Sequence, residues 1–84
     1  MIQVVLYSRQ GCHLCHNAEA LLEEMHAMYL FQLSLVDIDE DAELVRLHNE
    51  CVPVISVNGQ VRFRGIVNRV LLERLLRAES GADK

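Results

Sequence analysis

The apolar positions of this 84-residue chain alternate between the two-residue period of strands and the 3.6-residue period of helices. Residues 2–7 (Ile-Gln-Val-Val-Leu-Tyr) are β-branched and aromatic-rich, which predicts a short buried strand. Ser8-Arg9-Gln10-Gly11 breaks that run. Leu14, Ala18, Leu21, Leu22, Met25 and Met28 then fall at the spacing of one helix face, with both methionines at core positions. Residues 31–38 alternate in part and predict a second strand. The acids Asp37, Asp39, Glu40, Asp41 and Glu43 suit the positive end of a second helix over residues 40–49. Pro53 opens a third strand over 54–57, and Asn58-Gly59 is a strong hairpin signal leading to a fourth strand over 60–64. In strict alternation Arg62 and Arg64 share one face of that strand, Val61 and Phe63 the other. Charges there would keep an edge strand from pairing with a neighbour. Asn68 is set to cap a last helix carrying Val70, Leu71, Leu75 and Leu76.

The order is β-α-β-α-β-β-α. A strand-helix-strand start requires a parallel pair, and the hairpin with the last helix then closes the other side of the sheet. The expected fold is α/β, a four-stranded mixed sheet flanked by three helices. It forms one domain over residues 1–78, and the small polar residues 79–84 read as a flexible tail.

Hydrophobic residues make up 51% of the chain and charged ones 24%, which excludes intrinsic disorder on compositional grounds. Eight basic against twelve acidic residues give a net charge of −4, so no global basic field is present for nucleic acid. No apolar run approaches the ~20 residues of a membrane span, and the N-terminal run is too short for a signal-peptide core. No membrane partner and a cytoplasmic monomer are therefore expected, although a chain whose leader had been removed would read the same.

Three cysteines are too few and too odd for a disulfide-stapled scaffold. Cys12 and Cys15 stand two residues apart, where the first strand gives way to the first helix. A sulfur at Cys12 would lie near unpaired backbone N–H groups, which together with the helix dipole favour the thiolate. Cys15, one turn on, is placed to attack a mixed disulfide formed at Cys12. His13 can tune the pair through its charge or simply be a solvated helix-start residue. His16, His26 and His48 read as surface or boundary residues. Cys51 reads as a small buried hydrophobe ahead of a third redox partner.

Tyr7-Ser8-Arg9-Gln10-Gly11-Cys12-His13-Leu14-Cys15, Cys51-Val52-Pro53 and the Asn58-Gly59 hairpin together resemble the glutaredoxin branch of the thioredoxin superfamily. The likeness runs from about residue 3 to residue 77 and is greatest to small glutaredoxin-like proteins with a Gly-Cys-His-Leu-Cys motif. It implies a thioredoxin-like fold and a thiol–disulfide oxidoreductase with Cys12 as nucleophile and Cys15 as resolving thiol. It further implies a cis Pro53 against the active site and a Val52 backbone that pairs with an extended substrate. Arg9 matches a basic residue that would favour the thiolate and meet a carboxylate of glutathione. The family's Gly-Gly pair and glutathione-gripping residue before the last helix are matched by Gly65 and Asn68 alone. The usual Pro-Tyr between the cysteines is His13-Leu14, and the usual Thr is Cys51. No bound cofactor is implied; the partner is a disulfide-containing protein or glutathione, the latter as co-substrate.

Two other readings of the cysteine pair compete. Cys12-His13-Leu14-Cys15-His16 is also a c-type haem attachment pattern, but no methionine follows Met28 as distal ligand and the strands stay unexplained. A metal or iron–sulfur carrier could use Cys12 and Cys15, yet the second CxxC or HxxxH pair of a structural zinc site is missing.

Overall fold

The structure, a computed structural model, describes residues 1–82. Its elements in chain order are β1 (Ile2–Ser8), α1 (His13–His26), β2 (Phe31–Asp37), a short 3₁₀ turn (Ile38–Glu40), α2 (Ala42–His48), β3 (Val54–Val57), β4 (Gln60–Arg64) and α3 (Arg69–Ala82). The strands form one mixed sheet in the order β2-β1-β3-β4. β1 runs parallel to β2, from Ile2 opposite Phe31 to Ser8 opposite Asp37, and antiparallel to β3. The four-stranded thioredoxin-like α/β fold is thus the one expected. Among the described residues, no helix is long and apolar enough to cross a membrane.

The two faces of the sheet differ in chemistry, and that difference places the helices. Ile2, Val4 and Leu6 of β1 share one face with Ile55 and Val57, and all are buried. Ala18, Leu22 and Met25 of α1 and Leu72 and Leu76 of α3 pack on that face. The last helix therefore joins α1 on the same side of the sheet instead of closing the other. The reason is apolar area: the opposite face presents Ser34 and Ser56 among its residues and offers α3 less to bury. α2 covers that opposite face, with its His48 ring 5.0 Å from the Tyr7 ring. His48 is buried rather than at the surface, and its Nδ1 has no hydrogen-bond partner among the described residues.

Three boundaries differ from expectation. The acidic run does not form one helix start. Asp37 caps the 3₁₀ turn by accepting from the Asp39 N–H, and Asp41 separately caps α2 by accepting from the Glu43 N–H. Helix α1 ends at His26, so Met25 is buried while Met28 lies 53% exposed beyond it. Where a tail was expected from Glu79, α3 continues to Ala82; residues 83 and 84 lie outside the described residues.

The hairpin is as expected, with Asn58 at φ 51° and Gly59 at φ 85°. Both turn positions need the left-handed region that Asn and Gly tolerate best. The strand leaving the turn is not regular: a bulge interrupts the β3–β4 register between Ile55, opposite Phe63, and Ser56, opposite Val61. Strict alternation of Arg62 and Arg64 against Val61 and Phe63 is thereby lost.

Candidate active site

Cys12 is the N-cap of α1, extended at φ −95° and ψ 109°, and its sulfur accepts from the Cys15 N–H at 3.1 Å. A cysteine can fill this position because a sulfur, like a hydroxyl, can take one of the helix's unpaired donors. The Cys12 and Cys15 sulfurs are bonded, with their Cα atoms 5.2 Å apart. Cys12 is half-buried, whereas Cys15, one turn into the helix, is only 4% exposed. The pair is therefore asymmetric, with one cysteine partly open to solvent and the other buried.

Pro53 follows a cis peptide bond, as the resemblance implied. On either side of Val52, the carbonyls of Cys51 and Pro53 both accept from the Gly65 N–H, at 3.1 and 2.8 Å. Gly65 stands at φ 77°, a conformation in which a side chain is strained. Val52 itself has no backbone hydrogen-bond partner among the described residues. Asn68 caps α3, its Oδ1 accepting from the Leu71 N–H at 3.0 Å. His13 is the exposed first residue of α1. Cys51 is free and exposed, contrary to the buried thiol expected. It sits in the turn after α2, where its N–H donates to the His48 carbonyl and its own carbonyl accepts from Gly65. Both backbone groups are thus tied inward while the side chain meets solvent.

Arg9 is the least legible part of the site. Its Nε and Nη2 donate to Asp39, at 3.2 and 2.5 Å, and its Nη1 donates to the Asn49 carbonyl and Oδ1 at 3.1 and 2.8 Å. One guanidinium thereby ties the loop before Cys12 to the end of α2, two residues ahead of Cys51. The hydrogen bond from Arg9 holds the Asp39 carboxyl below its ordinary value of 3.8, and Arg9 itself is raised by the same bond. Across the molecule, Arg69 likewise lowers Glu24 below 4.5 through bonds of 2.6 Å. A depressed carboxyl stabilises the fold above its unfolded-state value, and the contribution fades as pH falls through the folded value. Melting temperature is therefore expected to drop as pH is lowered below about 4.5. Asp39→Asn should lower it at neutral pH and flatten part of the acid decline. Thermal melts between pH 7 and 2 check both; both pairs are exposed, so the step is small.

A cleft of about 170 Å³ behind Cys15 is lined by Ser8, Arg9, Gln10, Cys15, His16, Glu19 and Asp37. His16 and Glu19 were not singled out from the sequence as site residues. Helical spacing could have found them, since they follow Cys12 and Cys15 by four residues each. Among the described residues, no three His, Cys, Asp or Glu side chains converge as metal ligands.

Comparison with solved structures places the fold among known ones. A Nitrosomonas europaea protein solved by NMR is 28% identical, with TM-score 0.77 over 89% of this chain and 91% of that one. An X. campestris protein solved by X-ray crystallography is also 28% identical, with TM-score 0.74 over 89% and 96% of the two chains. A thioredoxin from Halobacterium salinarum shares the fold at 17% identity, with TM-score 0.74 over 94% of this chain and 74% of its own. No curated protein matches the sequence. The model of the glutaredoxin-like domain family (DUF836) matches residues 3–77, nearly the whole described chain, and the protein belongs to that family.

Proposed function

We propose that the protein is a thiol–disulfide oxidoreductase of a reducing compartment such as the cytoplasm. The observation that carries this is the asymmetric Cys12–Cys15 pair at the start of α1, one residue partly exposed and one buried. In the reduced state, Cys12 sits at the positive end of the helix, where backbone N–H groups stabilise a thiolate. That thiolate attacks one sulfur of a substrate disulfide, and the other sulfur leaves as a thiolate and takes a proton. Cys15, deprotonated, then attacks the Cys12 sulfur, expels the second substrate thiol and closes the Cys12–Cys15 disulfide. Two electrons pass to the substrate, and an external thiol reductant restores the pair.

Val52 supports the substrate assignment, because its backbone N–H and C=O beside Pro53, unpaired among the described residues, can bond an extended chain. Gly65 is bonded to the carbonyls on either side of Val52, and His13, next to Cys12, completes with Arg9 and Asn68 the set of proposed substrate contacts. Arg9 and Asn68 already have partners, however, so a glutathione carboxylate would have to displace Asp39 or the α3 cap. A protein disulfide is accordingly placed ahead of glutathione as substrate.

A redox titration in glutathione buffers, with alkylation of free thiols and intact-mass analysis, tests the reading. The expected result is one two-electron transition confined to Cys12 and Cys15, within the about −270 to −120 mV spanned by related dithiols. A persistent glutathione adduct on Cys12 would reverse the ranking of substrates. A pair that never oxidises would end the enzyme reading.

A further inference from the structure

The chain has seven arginines, and four of them, Arg9, Arg46, Arg69 and Arg77, are paired with a carboxylate. Arg62, Arg64 and Arg74 have no carboxylate partner among the described residues, although acids outnumber bases overall. Two of these three meet in one place. A cleft of about 370 Å³ between β4 and α3 is lined by Arg62, Phe63, Leu71, Arg74, Leu75 and Ala78, with no acid among them. The bulge in β4 makes this possible. It breaks the alternation that would set Arg62 and Phe63 on opposite faces, so that the cation and the ring line one cleft. On α3, Leu71, Arg74, Leu75 and Ala78 fall three and four apart and form the facing wall.

Protection of an edge strand accounts for an arginine on β4 but not for Arg74, which lies on a helix. Size argues for a small occupant. The volume falls in the roughly 300–1,000 Å³ range of small-molecule sites, whereas a stable protein interface takes about 20–30 residues a side. We propose that this cleft binds a small amphipathic anion, its apolar body against Phe63, Leu71 and Leu75 and its oxyanion head between Arg62 and Arg74. The guanidinium fork suits either a carboxylate or a phosphate monoester. None of the lining residues belongs to the cysteine site, so this inference stands independently of the redox reading.

Titration of the full chain with octanoate, octyl phosphate and neutral octanol, followed by ¹H–¹⁵N correlation spectra, tests it. Saturable shifts are expected at residues 62–63 and 71–78 with the two anions, and the tighter of them identifies the head group. Arg62→Gln and Arg74→Gln should each weaken anion binding roughly five- to tenfold. Added salt should weaken the anions and leave octanol unchanged. Both arginines are exposed, so the variants should retain the helical signal and melting temperature of the parent. Octanol binding as tightly as octanoate would reduce the cleft to bare apolar surface and overturn the proposal. So would scattered or absent shifts up to about 10 mM ligand, or unchanged affinity in both variants.

Discussion

Disulfide turnover is expected to vanish in Cys12→Ser and to stall, with the substrate still attached, in Cys15→Ser. The two outcomes differ because the two sulfurs differ in position. Cys12 caps α1 and is reachable from solvent, while Cys15 is 4% exposed and reaches other molecules only through Cys12. A serine hydroxyl at position 12 keeps the capping bond to the Cys15 N–H but supplies no thiolate, so the fold should persist while the rate falls roughly 10³-fold or more. A serine at position 15 leaves the first attack intact and removes the group that resolves it. Mixed disulfides should then accumulate on Cys12, visible as an added mass that a strong reductant removes. Cys51 supplies an internal check, being free and exposed. If Cys15→Ser still turned over and further loss of Cys51 stopped it, Cys51 would be the resolving thiol. Trapping in Cys12→Ser instead of Cys15→Ser would exchange the assigned roles.

The site was legible to the extent that its signals are local. The Cys12–Cys15 spacing, the strand before it and the helix after it lie within one stretch of chain. Asn58-Gly59 likewise prescribes its own turn, and Asn68 its own helix cap. What the sequence hid depends on distant partners or on competition between equals. Arg9 finds Asp39 and Asn49 at separations of 30 and 40 residues, and nothing near Arg9 marks either. Asp37 and Asp41 are equally good caps, so periodicity could not show that each would start its own turn. The β4 bulge leaves no composition signal, yet it decides which residues line the α3 cleft. The side of the sheet chosen by α3 was hidden for another reason. It follows from comparing two sheet faces, and the faces exist only once the strands have paired. Cys51 departs from the burial its type suggests: a small apolar-type residue before a strand is usually buried, whereas here the residue in the turn after α2 is exposed.

The stability of the whole assembly should hinge on α1, and Leu22→Ala is expected to expose that dependence. Leu22 is fully buried, in the cluster that holds α1 against Val4 and Leu6 of β1 and Leu72 and Leu76 of α3. Truncation to alanine removes apolar contact and leaves a cavity that neighbours from three elements cannot readily fill. The cost for such a change is about 2–5 kcal/mol. Small domains have only about 5–15 kcal/mol in total, and one of this length buries a smaller share of its surface than larger domains do. A loss of about 3 kcal/mol would lower the melting temperature by roughly 12–24 °C. Leu30→Ala makes the same chemical change at a residue that is 75% exposed, and its effect should stay within about 0.5 kcal/mol. Urea and thermal unfolding of the two variants, both fully oxidised, provide the comparison. Equal losses in the two would mean that the α1 contact is not where the fold derives its stability. A large loss confined to Leu22→Ala would tie the positioning of Cys12 and Cys15 to the same packing that holds the sheet and helices together, because both cysteines ride on the first turn of α1.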